Sequence, residues 1–198
     1  MFFKTKGYMY VSALQSGGRI IIYNDSLLFS IGDFGNINKV QLDDTLLGKI
    51  VKINPLTKEY RVYSKGHRNP QGLFYDKKNN KIIETEHGPM GGDEINYVLE
   101  NENYGWPIDS YGTTYSGARE CYSLYYDSNE NNNQENLPKY LIINQYSFKD
   151  DEDICINWGK HENFKKPERV FLGSLGIQQI VKLQLNDKDI YLLGSLKN

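Results

Sequence analysis

Short apolar runs rich in Ile, Val, Leu, Tyr and Phe recur along the chain in pairs, each pair broken by an Asn/Asp cluster. IIIYNDSLLFSIGD (20–33), GLFYDKKNNKIIETEHG (72–88) and QQIVKLQLNDKDIYLLGSL (178–196) share this layout. β-Branched and aromatic runs around Asn/Asp turn residues predict β-hairpins, not helices. The second strand of each pair aligns: LFSIGD from Leu28, IIETEH from Ile82 and IYLLGS from Ile190. These starts lie 54 and 108 residues apart, read as one period and two. A weaker unit is expected near Asn136, where KYLII follows.

A period of this size built from antiparallel hairpins predicts an all-β fold, a β-propeller of four-stranded blades. Each blade covers its neighbours' faces, and loops leaving equivalent strand ends gather on one side. An irregular β-sandwich also gives serial hairpins and is the alternative. One partial propeller domain over 1–198 is expected, holding about 3.5–4 blades at this period. Polar CYSLYYDSNENNNQENLP reads as part of a long solvated insertion around 110–138.

Composition narrows the function classes. The hydrophobic fraction of 39%, with 13% aromatic, suffices for a packed core, and 16 Tyr against 8 Phe suits half-buried strand faces. A formal charge of −2 with interspersed signs gives no polyanion-binding surface, so no nucleic acid partner is expected. No apolar run approaches the roughly 20 residues of a membrane span. The start, MFFKTKGYMYVSALQSGG, lacks the order of a signal peptide, because Lys4, Lys6 and Gly7 break its apolar residues. As written, the chain is read as cytoplasmic. Within that start, GYMYVSAL has the look of an interior blade strand. Cys121 and Cys155 are far apart in polar loops and are read as two unpaired thiols, with pairing in an oxidising compartment the alternative.

Chemistry concentrates in ETEHGPMGGDEINYVLENENYGWP (84–107), which packs backbone-bending residues against acids and aromatics. Gly88, Pro89, Gly91 and Gly92 allow a tight path that can turn carbonyls inward, and calcium takes such oxygens. A turn with solvated acids is the plain reading of the same residues. Arg68 and Asn69 stand in RNPQG just before a strand, where Arg offers a rigid fork of donors for carboxylate or quinone oxygens, or ties down a loop. His67 and His87, without cysteines or a third ligand, are weak evidence for zinc; ring packing and hydrogen bonding suit them better. His161 is expected to be exposed.

In this order and spacing, GHRNPQGLFYD (66–76), ETEHGPMGGDEINYV and NYGWP resemble the soluble quinoprotein glucose/sorbosone dehydrogenase family, also called aldose sugar dehydrogenases. GGRIIIYNDSLLFSIGDFG and the SLGI and LLGSLKN segments resemble it more loosely. The resemblance implies a six-bladed propeller, a periplasmic or secreted family, and oxidation of the C1 hydroxyl of an aldose to a lactone. It implies that Arg68 and Asn69 contact pyrroloquinoline quinone (PQQ). It implies that the Gly88 and Pro89 carbonyls hold the calcium that docks the quinone, and that Glu94 and Tyr104 belong to a second calcium. The family's general base is a His three residues before a Gly-Arg pair; here Gly18-Arg19 puts Gln15 there. A carboxamide orients a hydroxyl but takes no proton, so activity is expected to be impaired by roughly 100- to 10,000-fold. A non-catalytic propeller binding sugar, calcium or a protein partner is the alternative, and a truncated product with no stable function is a third reading. Six blades at this period need roughly 320 residues, so open blade edges are expected to drive self-association.

Overall fold

The computed structural model describes residues 14–113, 121–123 and 153–197. Fourteen strands and one 3₁₀ turn (Ile37–Lys39) make up its regular structure. The first sheet is β1 (Gly17–Tyr23), β2 (Ser26–Ile31), β3 (Lys49–Ile53) and β4 (Tyr60–Lys65), antiparallel in sequence order. The second holds β5 (Pro70–Asp76), β6 (Lys81–Glu86) and β7 (Asp93–Val98), with β12 (Arg169–Phe171) added on the far side of β7. The hairpin β13 (Ile177–Leu185) and β14 (Lys188–Ser195) forms a third, two-stranded sheet.

All three predicted hairpins form, and their Asn/Asp clusters make the turns for a local reason. Asn24, Asn80, Asn186 and Asp187 adopt positive φ (52°, 50°, 48° and 60°), a region that Asn and Asp side chains tolerate better than most. The aligned segments fall on β2, β6 and β14, so the repeat is a structural one. The β3–β4 pair, β7 and β12 complete the sheets.

Leu28, Ile50, Tyr63, Leu73, Ile82 and Val98 form one buried cluster from the first two sheets. Each side chain of this size contributes roughly 1.5–3 kcal/mol on full burial. Tyr23 closes the edge, its ring meeting Tyr75 edge-on at 4.9 Å. A second cluster, Ile31, Val51 and Ile53, fills the other face of the first sheet. The leading strands lie side by side, β1 against β5 and β5 against β13. Gly72 makes the second contact possible: a Cβ there would come within 2.5 Å of the Gln178 carbonyl oxygen. Because β13 packs directly on β5, the 108-residue interval from Ile82 to Ile190 is one step of the array, not two. The extra length is the excursion between β7 and β12.

That excursion is not all solvated insertion. β8 (Asp109–Ser110) is buried and pairs in parallel with β11 (Asn157–Trp158). β9 (Cys121–Ser123) pairs with β10 (Asp153–Cys155) in a register that sets Cys121 opposite Cys155, so the two cysteines are not far apart. His161 is 3% exposed, against the expectation of a solvated side chain. The predicted unit near Asn136, most of the 110–138 insertion and most of GYMYVSAL lie outside the described residues. Among the described residues stand two four-stranded sheets and three two-stranded ones, the β13–β14 hairpin among them.

Candidate cofactor and metal site

Four connections converge at one end of the sheets: 32–48 after β2, 66–69 after β4, 87–92 after β6 and 99–113 after β7. Backbone bonds lock them together. The Asp33 N–H donates to the Arg68 carbonyl at 2.9 Å, and the Trp106 N–H donates to Gly66 O at 3.1 Å. His67 N–H donates to Gly48 O at 3.1 Å.

Arg68 lies inside this junction at 7% exposure. Its Nη1 donates to the carbonyls of His87 (3.0 Å) and Gly88 (2.8 Å), and its guanidinium sits 5.5 Å from the Trp106 ring centre. Asn69 accepts from Gly17 N at 3.2 Å and from Gln71 Nε2 at 2.9 Å. The 15–17 segment therefore rests on Asn69. Gln15 itself has φ +48°, and its carbonyl accepts from Phe34 N at 3.2 Å. The structure brings Gln15, Arg68, Asn69 and Gly88 into one neighbourhood, although they span more than seventy positions of sequence.

The Gly88–Gly92 turn needs its glycines. Gly91 and Gly92 have φ of +77° and +69°, and a Cβ on Gly92 would press into the backbone of Tyr111 and Gly112. Asp93 holds the turn in place. Its Oδ1 accepts from Gly88 N at 3.0 Å, while Oδ2 accepts from the N–H groups of Leu175, Gly176 and Ile177 at 3.0, 2.7 and 3.3 Å. One carboxylate thus ties this loop to the start of β13.

Beside the turn lies a cavity of about 20 Å³, whose walls include Glu86, Gly88, Pro89, Glu94, Tyr104 and Asp109. That is room for one water or one cation. Its carboxylate and carbonyl oxygens are the hard set calcium takes, and Arg68 and His87 also line it. The Tyr104 phenol is engaged elsewhere: it donates to Tyr97 O at 2.6 Å and accepts from Leu99 N at 2.9 Å. The Tyr104 carbonyl accepts from His161 Nε2 at 2.7 Å. Burial lowers the His161 pKa, which keeps that ring neutral at pH 7.

Several residues of the junction carry no motif signal. Asp33, 1% exposed, accepts from Trp106 Nε1 at 2.8 Å and Gly35 N at 2.8 Å. Burial pushes its carboxyl up to about 6, against the pull of Arg68 and these two donors. Under the turn, Glu84, Glu86 and Glu94 crowd around the amide nitrogen of Asn96, at 2.9, 3.2 and 3.3 Å. Burial, and then repulsion from Glu86, push Glu84 and Glu94 well above the usual carboxylate range. Alternation on β6 puts Glu84 and Glu86 on one face, and the inward direction of that face was the available clue.

The glucose / sorbosone dehydrogenase family model matches residues 3–193. Aldose sugar dehydrogenase YliI of Escherichia coli K12 is 37% identical over 117 residues, 52% of this chain and 32% of that protein. Quinoprotein glucose dehydrogenase B of Acinetobacter calcoaceticus is 41% identical over 75 residues, 37% of this chain and 15% of that protein. A crystal structure of a glucose dehydrogenase shares 26% identity with a TM-score of 0.59, covering 83% of this chain and 42% of that one. The apo form of the soluble E. coli aldose sugar dehydrogenase gives a TM-score of 0.61 at 21% identity, over 91% of this chain and 54% of that one, a likeness of fold. The chain thus spans about a third or less of these curated relatives and about half of the solved structures. With the family model covering nearly its whole length, the chain belongs to the glucose/sorbosone dehydrogenase family.

Proposed function

We propose that this chain supplies the cofactor-facing loops of a PQQ-dependent aldose dehydrogenase with the six-bladed propeller of its family, and that it binds calcium at the Gly88–Glu94 turn. The observation that carries the reading is the Gly88 carbonyl, which faces a cationic nitrogen at 2.8 Å beside a cavity walled by Glu86, Glu94 and Asp109. The Glu86, Glu94 and Asp109 carboxylates offset the Arg68 charge, and with the Gly88 and Pro89 carbonyls they make a hard-oxygen donor set that fits calcium. Gly88 and Pro89 would hold the ion that meets the quinone, and Glu94 with the Tyr104 carbonyl a second one. Arg68 and Asn69 fit one edge of a tricarboxylate, as a charged fork and an amide. When bound, the calcium–quinone pair supplies the acceptor for the hydride from the sugar C1.

The proton from the C1 hydroxyl needs a base in this chain. Gln15 can accept a hydrogen bond from that hydroxyl or donate one to it, but cannot take its proton. Asp33 lies one residue from the backbone contact of Gln15, but it is buried with both oxygens engaged by Trp106 and Gly35, so it is not placed to take that proton. The glutamine favours slow turnover, and in the limit a second reading: a module that binds sugar and cofactor without oxidation. Gln15→His in quinone-loaded protein decides between them. A gain in aldose oxidation on the order of 100-fold supports Gln15 as the base position; an unchanged rate with intact quinone binding rejects it.

The chain also presents apolar surface for association. Leu183, Leu185 and Leu192 on β13 and β14 are 47%, 52% and 51% exposed. We infer that a further sheet, from a second copy of the chain, covers this hairpin.

A further inference from the structure

A second group of candidate cation ligands lies deeper than the turn and shares Glu86 with the cavity beside it. His67, Glu84 and Glu86 are 0%, 0% and 5% exposed, and one ligand atom from each lies within 4.8 Å of the others. A point within about 2.8 Å of all three therefore exists, about 0.6–0.8 Å beyond zinc's usual bond lengths to nitrogen and oxygen, a gap that side-chain rotation on binding would close. Among the described residues, His67 Nδ1, Glu84 Oε1 and Asn96 Oδ1 are buried without a hydrogen-bond partner. Unmet groups of this kind are rare in a folded interior and ask for an occupant.

The imidazole is the telling group. Its Nε2 is 2.8 Å from Ser64 Oγ, and its ring stacks on Tyr104 at 4.8 Å between centres, so its direction is fixed. Its Nδ1 points at Glu86 Oε1 from 3.6 Å. That is too long for an N–H···O bond. It is close to the spacing of two ligands on one small divalent ion. A metal-bound histidine typically donates its other N–H to an oxygen, and Ser64 is placed to accept it. Charge points the same way. The amide nitrogen of Asn96 carries two hydrogens and meets three carboxylates.

We propose that His67 Nδ1, Glu84 and Glu86 bind one divalent transition ion of the zinc class, buried between β6 and the 66–69 loop. One imidazole with two carboxylates suits zinc better than calcium, which prefers an all-oxygen shell. The ion joins the loop that carries Arg68 to the strand that carries the Gly88 turn.

Metal-stripped full-length chain, checked by circular dichroism, is dialysed against zinc in millimolar calcium, and bound zinc is counted. The proposal expects one zinc per chain and a higher thermal midpoint with zinc than without. Glu84→Gln mimics a neutral acid and keeps the fold, and with His67→Gln it should each lower zinc affinity by more than about 100-fold. Calcium binding, which depends on Glu94, should survive in Glu84→Gln. Less than one zinc per folded chain, a midpoint that zinc does not move, or unchanged zinc affinity in Glu84→Gln overturns the site and leaves Glu84 as a protonated acid. Loss of calcium binding in Glu94→Ala, by contrast, bears only on the dehydrogenase reading.

Discussion

At the scale of single residues, Asp33 is the clearest case of position overriding ordinary chemistry. Its carboxyl sits under the Trp106 indole with a pKa near 6. A folded-state pKa above the unfolded value means the folded protein holds the proton more tightly, so this group's penalty grows as pH rises from about 4 to above 6. The shift from 3.8 to about 6 corresponds to about 3 kcal/mol of lost stability at pH 7. Glu84 and Glu94 are shifted in the same direction and add to it. Denaturant melts between pH 4.5 and 7.5 should show stability rising as pH falls, with a shallower slope in Asp33→Asn; an unaltered slope in that variant would remove Asp33 as a titrating group. Asp93 accepts four backbone N–H groups. Asp93→Ala leaves those donors without their acceptor and should cost on the order of 3 kcal/mol in chemical denaturation. It should also weaken calcium binding, because the Gly88 turn loses its anchor.

At the scale of elements, the hairpins were legible and the sheet assembly was not. Turn chemistry at Asn24, Asn80 and Asn186 is local, so sequence carries it. The arrival of β12 beside β7 from beyond the long excursion is a long-range pairing of three residues, too short for any periodicity to announce. The site divides in the same way. Arg68, Asn69, Gly88 and Glu94 stand in dense motifs and meet in space. Asp33, Glu84 and Glu86 carry no role in the sequence reading, because an isolated carboxylate shows no sign of burial in sequence. His161 was misread for that reason: its partner, the Tyr104 carbonyl, lies 57 positions away. The docking of β13–β14 on the second sheet offers its own test. Asp76 Oδ2 accepts from Lys182 Nζ at 2.8 Å, Tyr191 Oη at 2.8 Å and Asn79 Nδ2 at 2.7 Å. Burial raises the Asp76 pKa, but these three bonds outweigh it and hold the carboxyl well below the usual range. A depressed pKa contributes stability above the unfolded value of about 4, lost as pH falls further. Asp76→Asn should therefore lower the melting temperature at pH 7 and differ less from the parent below pH 4. An equal deficit at both pH values would mean that the charge is not what holds the hairpin.

For the whole molecule, the described sheets stand side by side with an apolar flank on β13–β14, where Leu183, Leu185 and Leu192 are about half exposed. Exposed apolar area of this kind drives association. Light scattering should find dimers or larger species at micromolar concentration, shifted toward monomer by Leu183→Lys with Leu185→Lys; a monodisperse monomer for the parent chain would reject the self-association. The central claim is that the Gly88–Glu94 turn and Arg68 together form a calcium-dependent quinone site, and a titration of folded, metal-free chain with PQQ, read by quenching of tryptophan fluorescence, tests it most directly. The account predicts saturable binding of one quinone per chain in the presence of calcium, lost on chelation and strongly weakened in Arg68→Leu. Absence of saturable binding in calcium, or binding indifferent to both calcium and Arg68, would contradict it.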